Sequence, residues 1–408
     1  MFSDLTRIQK DMEAFAACTA TPGSGCTRLS FSPSYRKAID HVRQEMTACG
    51  LSVSMDPSGV LVGVREGLDM SAPVTLIGSH LDSVINGGNF DGTSGIAAAL
   101  EIARLMQTEN YTPKAPIWFV VFPETTGSRF GSANLGSRAF CRLLKPEDLD
   151  QIADSSRVTL RQALLGFGTD PDRMFASSAP SIARYLELHI EQGPFLEQVR
   201  CDLGIGEAIS GVDVYRFTIH GRADHAGTTP MTARADSFQI AARAAIATSD
   251  AALALADGTT ATVGDFSVYP GSYNIIPGQV SFTVDIRSKS DKSRTKIYRV
   301  LTHYLDSVSK EPDIRYEVSD LVHYPAVQMD GDMRRLLTTT ARGLGYSARA
   351  VSTGAFHDAV VLSSFAPTAL VFVPSHNGRS HCPEEYTSLE DLQKGVEVLY
   401  ATVKELTA

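Results

Sequence analysis

None of the six cysteines, Cys18, Cys26, Cys49, Cys141, Cys201 and Cys382, forms a Cys-x-x-Cys pair with another. With that scatter neither the disulfide framework of a small secreted domain nor a thiolate zinc site is indicated. Runs of Lys and Arg are also missing and the net charge is -9, which argues against nucleic acid or an anionic membrane as partner, since both need clustered cations. No apolar stretch approaches the roughly 20 residues of a membrane-spanning helix. The N-terminal segment spreads Leu5, Ile8, Met12 and Phe15 along one helical face and so lacks the unbroken apolar core of a signal peptide. The cytoplasm is the expected location and a small molecule the expected partner. What the chain does have is a globular composition, 43% hydrophobic and 20% charged over 408 residues, which is enough to bury two cores and implies two domains.

Short apolar runs in the first half lead repeatedly into polar clusters. VTLIGS runs into HLDSV and then the helical pattern TSGIAAALEIARLM, IWFVVF runs into PETTGSRFG, and YLELHI ends at EQGP. Strands alternating with helices imply an α/β fold with a mostly parallel central sheet and helices on both faces. In such sheets the ligand site lies at the carboxyl ends of the strands, where these polar clusters fall. TALVFV followed by PSHNGRSHCPEE has the same form near the C-terminus, so residues 1–208 and 323–408 are expected to form one domain. Between 209 and 322 the order becomes strand, helix, strand, strand, helix, strand, from VYRFTIH to IRYEVSDL. This βαββαβ order reads as a second, inserted domain of split βαβ type.

The segment GSHLDSVINGGNFDGTSG places His80 at a strand end, Asp82 two residues on and Asp91 in the following loop. A strand-end imidazole with a carboxylate near its other ring N–H is how a metal-ligating histidine is usually oriented. Taken alone the spacing is weak, and a strand-end His beside a solvated loop Asp explains it better. His189 ends another strand, however, and His225, His357 and His381 also lie in Gly- and Asp-rich loops after apolar runs, which loop composition does not explain.

The series GSHLDSV, GGNFDG, GSRFG, LHIEQGP, DHAGTTPM, NIIPG, DIRS, GAFHDA and SHCPEEYT resembles the motifs of the M20 metallopeptidase superfamily. Within it the likeness is to the carbamoylase branch: N-carbamoyl-L-amino-acid hydrolases, allantoate and ureidoglycolate amidohydrolases, and β-alanine synthase. The match runs in order from TRLSFS near residue 27 to EEYT near residue 387. The resemblance implies a metal-binding catalytic domain and a lid domain through which the chain forms a homodimer. It implies that His80, Asp91 and His189 hold one divalent metal, zinc or manganese, and that Asp91 bridges to a second held by a glutamate at 126 and by His381. A glutamate at 125 is then the general base, and Asp82 orients His80. Arg287 and Asn274 bind the substrate carboxylate, a role that suits the planar fork of Arg287. His225 reaches the substrate from the lid, that of the partner subunit, and His357 contacts the reacting group.

The chain departs from that pattern at one place above all. Where the family reads Glu-Glu-Gly-x-Arg-Phe, it reads Thr125-Thr126-Gly127-Ser128-Arg129-Phe130. A threonine hydroxyl is a poor ligand beside a carboxylate, so one metal per subunit is expected, with His381 freed for another use. The catalytic candidates become His381, His225, Asp82 and Glu124, although the unchanged GSRF fixes Glu124 as the residue before the pair. Thr125 joins Arg287, Asn274, His225 and His357 as a candidate substrate contact. Phe356 stands where the family has glycine, while His376 and Arg379 receive no role. The expected activity is hydrolysis of a linear amide or ureido C–N bond in a small carboxylate-bearing substrate. The alternative is a silent or repurposed relative that binds a ureido or amino acid.

Overall fold

The computed structural model describes residues 3–408. Its strands, in chain order, are β1 (Ser52–Met55), β2 (Leu61–Arg65), β3 (Val74–His80), β4 (Ile117–Phe122), β5 (Ile182–Ile190), β6 (Leu203–Ile209), β7 (Gly211–His220), β8 (Thr260–Tyr269), β9 (Gln279–Ser288), β10 (Arg315–Tyr324), β11 (Val327–Gln328), β12 (Ala348–Thr353) and β13 (Thr368–Val373). They fall into two compact units, one running to Glu207 and resuming at Met329, the other spanning Ala208–Gln328.

In the first unit β4, β3, β5 and β13 are neighbours and run parallel. Antiparallel strands extend this centre on both sides, β2 and then β1 beyond β4, and β6 beyond β13. The parallel strands are apolar runs because both of their faces are covered. In β4, Ile117, Phe119 and Val121 join the main core with the helices Leu5–Ala17, Pro33–Ala48, Thr93–Thr108 and Leu389–Thr407. Trp118 and Phe122, on the opposite face, meet Phe140 of the short helix Leu135–Phe140 edge to face. Period-2 alternation thus distributes one strand between two helical layers.

The helix Thr93–Thr108 carries Ala97, Ala98 and Ala99 and is buried along most of its length, so small side chains let it lie close on the sheet. Of the N-terminal apolar stripe, Ile8, Met12 and Phe15 enter the core and Leu5 is half-buried. His80 ends β3, His189 is the penultimate residue of β5, the Thr125–Thr126 turn follows β4, and the loop with His381 follows β13. The parallel strands therefore deliver these polar groups to one edge.

The second unit has the order β7, helix Ser237–Leu255, β8, β9, helix Asp291–Val308, β10. Its antiparallel sheet runs β10-β7-β9-β8. Phe217, Ile219, Val280, Phe282, Val284 and Ile286 pack with Ile297, Leu301 and Leu305 into a core of its own. No helix among the described residues is long and apolar enough to cross a membrane.

Candidate metal centre

Asp91 is the hub of the first unit's polar edge. Its Oδ1 lies 3.4 Å from His80 Nε2 and 3.1 Å from His189 Nε2, and its Oδ2 lies 3.2 Å from His381 Nε2. The Nδ1 atoms of both buried imidazoles face main-chain carbonyls, His80 at 3.0 Å from Asp82 O and His189 at 2.9 Å from Ile190 O. Donation there fixes the tautomer that leaves each Nε2 lone pair free. His80, Asp91 and His189 each offer a ligand atom within 4.8 Å of the others. Two imidazole nitrogens and a carboxylate oxygen at that spacing suit a divalent ion of the zinc or manganese kind.

Backbone design holds this hub in place. Gly92 has φ +68°, and a Cβ there would lie 2.5 Å from the His80 ring. Buried Glu385 accepts from the N–H groups of Phe90 (2.8 Å) and Asp91 (2.9 Å) with one oxygen, and from Ser380 Oγ (2.6 Å) and His381 N (3.3 Å) with the other. One carboxylate thereby ties the Asp91 loop to the His381 loop. Glu385 lies in the SHCPEEYT motif without an assigned role, and nothing in the sequence distinguishes it from Glu384, which is exposed and pairs with Arg379.

Both threonines give their hydroxyls away from Asp91. Thr126 donates its hydroxyl (2.7 Å) and its N–H (3.0 Å) to Asp82 Oδ2, while Thr125 N–H reaches Asp82 Oδ1 at 3.2 Å. Thr125 Oγ1 donates to Asp358 Oδ2 at 2.6 Å, and Asp358 also accepts from Ser137 Oγ at 2.5 Å and Asn134 Nδ2 at 3.4 Å. The Asp82 carboxylate stands 3.6 Å from His80 Nδ1, so its main-chain oxygen, not its side chain, is the closer partner of that ring. The side chain instead organises the threonine turn. Glu124 has φ +60° and is buried; its Oε1 accepts from Arg129 N (2.8 Å) and Phe130 N (2.7 Å), closing its own loop.

Burial sets the charges. Burial alone would raise Asp91, yet His189, His381 and His80 pull it well below the usual carboxylate range. Burial would lower His80, but Asp82 and Asp91 outweigh it and raise it well above the imidazole range. Burial pushes Glu187 up to about 7, and burial with the Asp82 charge does the same to Glu124. Asp358 is raised by burial. His357 is held well below the imidazole range, by burial and then by His189, whose ring it meets edge-on at 4.4 Å. Phe356, beside it in the chain, is half-buried.

The remaining candidates belong to the second unit. Arg287 of β9 is half-buried, and its Nε and one terminal nitrogen each meet Asp285 at 2.9 Å. Asn274 is exposed, and its Oδ1 accepts from Ser272 Oγ at 2.7 Å. His225 Nδ1 accepts from the N–H groups of Gly227 (3.0 Å) and Thr228 (3.2 Å). In the first unit, His376 is exposed and pairs with Glu197 at 3.0 Å.

Residues 76–405 match the sequence profile of Peptidase family M20/M25/M40. The chain is 39% identical over 402 residues to an N-carbamoyl-L-amino-acid amidohydrolase of Paenarthrobacter aurescens, covering 98% of this chain and 97% of that one. It is 38% identical to an N-carbamoyl-L-amino acid amidohydrolase of Geobacillus stearothermophilus, with 94% of each chain covered. The crystal structure of an amidase of the hydantoinase/carbamoylase family from Burkholderia multivorans superposes with a TM-score of 0.91 at 30% identity, over 100% of this chain and 98% of that one.

Proposed function

The chain belongs to peptidase family M20/M25/M40, in its carbamoylase branch, and we propose that within it the protein works with a single divalent ion on a ureido C–N bond. It is a metal-dependent amidohydrolase acting on C–N bonds other than peptide bonds in small carboxylate substrates. An N-carbamoyl amino acid is the substrate proposed, on the likeness to the two amidohydrolases above. The observation that carries the one-metal reading is the Thr126 hydroxyl. It is spent on Asp82 at 2.7 Å, so a second ion beside Asp91 would find only Asp91 and His381 from the protein.

His80, Asp91 and His189 would hold the ion, zinc or manganese, which when bound acts as a Lewis acid and lowers the pKa of water. The side chains do the rest. Asp91 stays ionised and aligns His381, whose ring is 53% exposed and within reach of an attacking water. His381 takes that water's proton and returns it to the leaving nitrogen. His357, buried and neutral, contacts the reacting group, with Thr125 beside it in the Asp358 network. Asp82 fixes the threonine turn. Arg287 and Asn274 anchor the substrate carboxylate, and His225 completes the contacts from the second unit. Glu124 is left out as a base because it is buried and its Oε1 closes its own loop, away from the exposed face of His381.

A homodimer formed through the second unit is proposed as well. Its support is the exposed apolar set Ile246, Leu253 and Phe266 on the Ser237–Leu255 helix and on edge strand β8.

Elemental analysis with a turnover assay tests the reading. About one ion per chain is expected, with hydrolysis of an N-carbamoyl amino acid that His381→Ala lowers by roughly 10²- to 10⁴-fold. Two tightly held ions would sink the one-metal reading. Binding of the amino acid without turnover would return the alternative of a silent binding protein.

A further inference from the structure

Glu187 and His189 alternate onto the same face of β5 and point into the protein, where the His357 ring closes on them. All three are buried, at 0%, 1% and 1% exposure. Each has one polar atom committed to a partner. Glu187 Oε1 accepts from Ser79 Oγ at 2.7 Å, His189 Nδ1 faces Ile190 O at 2.9 Å, and His357 Nε2 lies 3.4 Å from the Thr353 hydroxyl. The other atom of two of them, Glu187 Oε2 and His357 Nδ1, is buried with no hydrogen-bond partner. With its proton on Nε2 His357 presents a lone pair at Nδ1, and Glu187 when ionised presents Oε2, so the gap is then lined by acceptors. Buried acceptors facing one another need a donor or a cation between them. Ligands whose second atom is held by a neighbour and whose first is bare have the form of a metal site.

We propose that Glu187, His189 and His357 form a second, more deeply buried seat for a divalent cation, alternative to the one made by His80, Asp91 and His189. The three offer ligand atoms within 4.8 Å of one another. Two imidazoles and a carboxylate suit zinc. His189 belongs to both sets, so the seats are exclusive and the chain holds one ion at a time. The ion moves inward when the outer ligands are weakened. This rests on the reading that His189 ligates the metal.

Cobalt(II) is the probe, added to chelator-stripped full-length protein, with stoichiometry by equilibrium dialysis and the visible d–d absorption as the spectroscopic readout. Wild type binds one ion. His80→Ala, which breaks the outer set, is expected still to bind about one ion, with an altered band. Adding Glu187→Gln to His80→Ala should then weaken binding at least 100-fold, and His357→Ala in place of Glu187→Gln should do the same. The Glu187→Gln change is isosteric and circular dichroism checks the fold, so loss of the ion is not loss of structure. The inner seat is overturned if folded His80→Ala binds no ion, or if it keeps its ion through Asp91 and His381 regardless of changes at 187 and 357. A wild-type chain that binds no cobalt would instead remove the reading on which this rests.

Discussion

Thr125 and Thr126 do more than leave two carboxylates out. Their hydroxyls are donors to Asp358 and Asp82, buried acids that glutamates at the same positions would repel. Thr125→Glu with Thr126→Glu should therefore raise the metal stoichiometry toward two ions per chain and, without metal, lower the unfolding free energy by about 1–3 kcal/mol or more, as expected for buried polar groups left unpaired. Denaturant melts with and without chelator check this; a metal-free variant as stable as wild type would mean the two acids are protonated or free to move. Glu124 makes a pH prediction. Its pKa of about 7 in the folded chain lies above the ordinary 4.5, so its contribution to stability is full below 4.5 and is lost as pH rises through 7. Glu124→Gln keeps an acceptor for Arg129 and Phe130 and removes the titration, so the fall in stability between pH 4.5 and 7 should flatten. An unchanged slope in pH-dependent melts would assign the titration elsewhere. At this scale the motifs single out His80, Asp91, His189 and His381, which the fold brings together, whereas nothing in the sequence marks Glu385, Asp358 and Glu187. Their importance lies in being buried with partners far away in sequence, such as Phe90 for Glu385 and Thr125 for Asp358.

The parallel strands were readable as elements because burial on both faces requires unbroken apolar runs, as in VTLIGS and TALVFV. The antiparallel additions were not. In β6, LGIGEAI, Gly204 and Gly206 replace side chains that would strike Phe372 and Leu370, so close packing erases the pattern that marks a strand. The junction between β3 and the helix Thr93–Thr108 carries a sharper constraint. Gly92 combines φ +68° with contact on the His80 ring. Gly92→Ala adds backbone strain of about 1–2 kcal/mol and pushes the imidazole out of line with Asp91, so metal affinity should fall on the order of 10- to 100-fold, as when a ligand loses its support. Competition against a chromophoric chelator measures it. A variant that melts lower yet holds its ion as tightly as wild type would show that the His80 ring escapes the added methyl.

For the whole molecule, the decisive fact is that every proposed metal ligand lies in one unit while Arg287, Asn274 and His225 lie in the other. The insertion also leaves its host with neighbouring ends, since Met329 N donates to Glu207 O at 3.0 Å. A chain in which 208–328 is replaced by a short Gly-Ser linker should keep the core around β3, β4, β5 and β13, because the second unit has its own apolar core. Such a chain is expected to bind one ion per molecule with affinity within about tenfold of wild type and to hydrolyse nothing, having lost the proposed carboxylate anchor. The excised 208–328 segment should melt cooperatively by itself. Within the intact protein, Arg287→Lys keeps the charge and loses the fork, so substrate affinity should drop by roughly 1.5–3 kcal/mol, the range for hydrogen bonds to charged groups. These measurements separate three cases. If the deletion chain loses its ion, the metal centre depends on the insertion and the division of labour is wrong. If it keeps both ion and turnover, the substrate is held by the first unit alone and Arg287 is no part of the anchor. If it keeps the ion and loses turnover, but Arg287→Lys binds substrate as wild type does, the anchor lies elsewhere on the inserted unit, with Asn274 and His225 next to be changed.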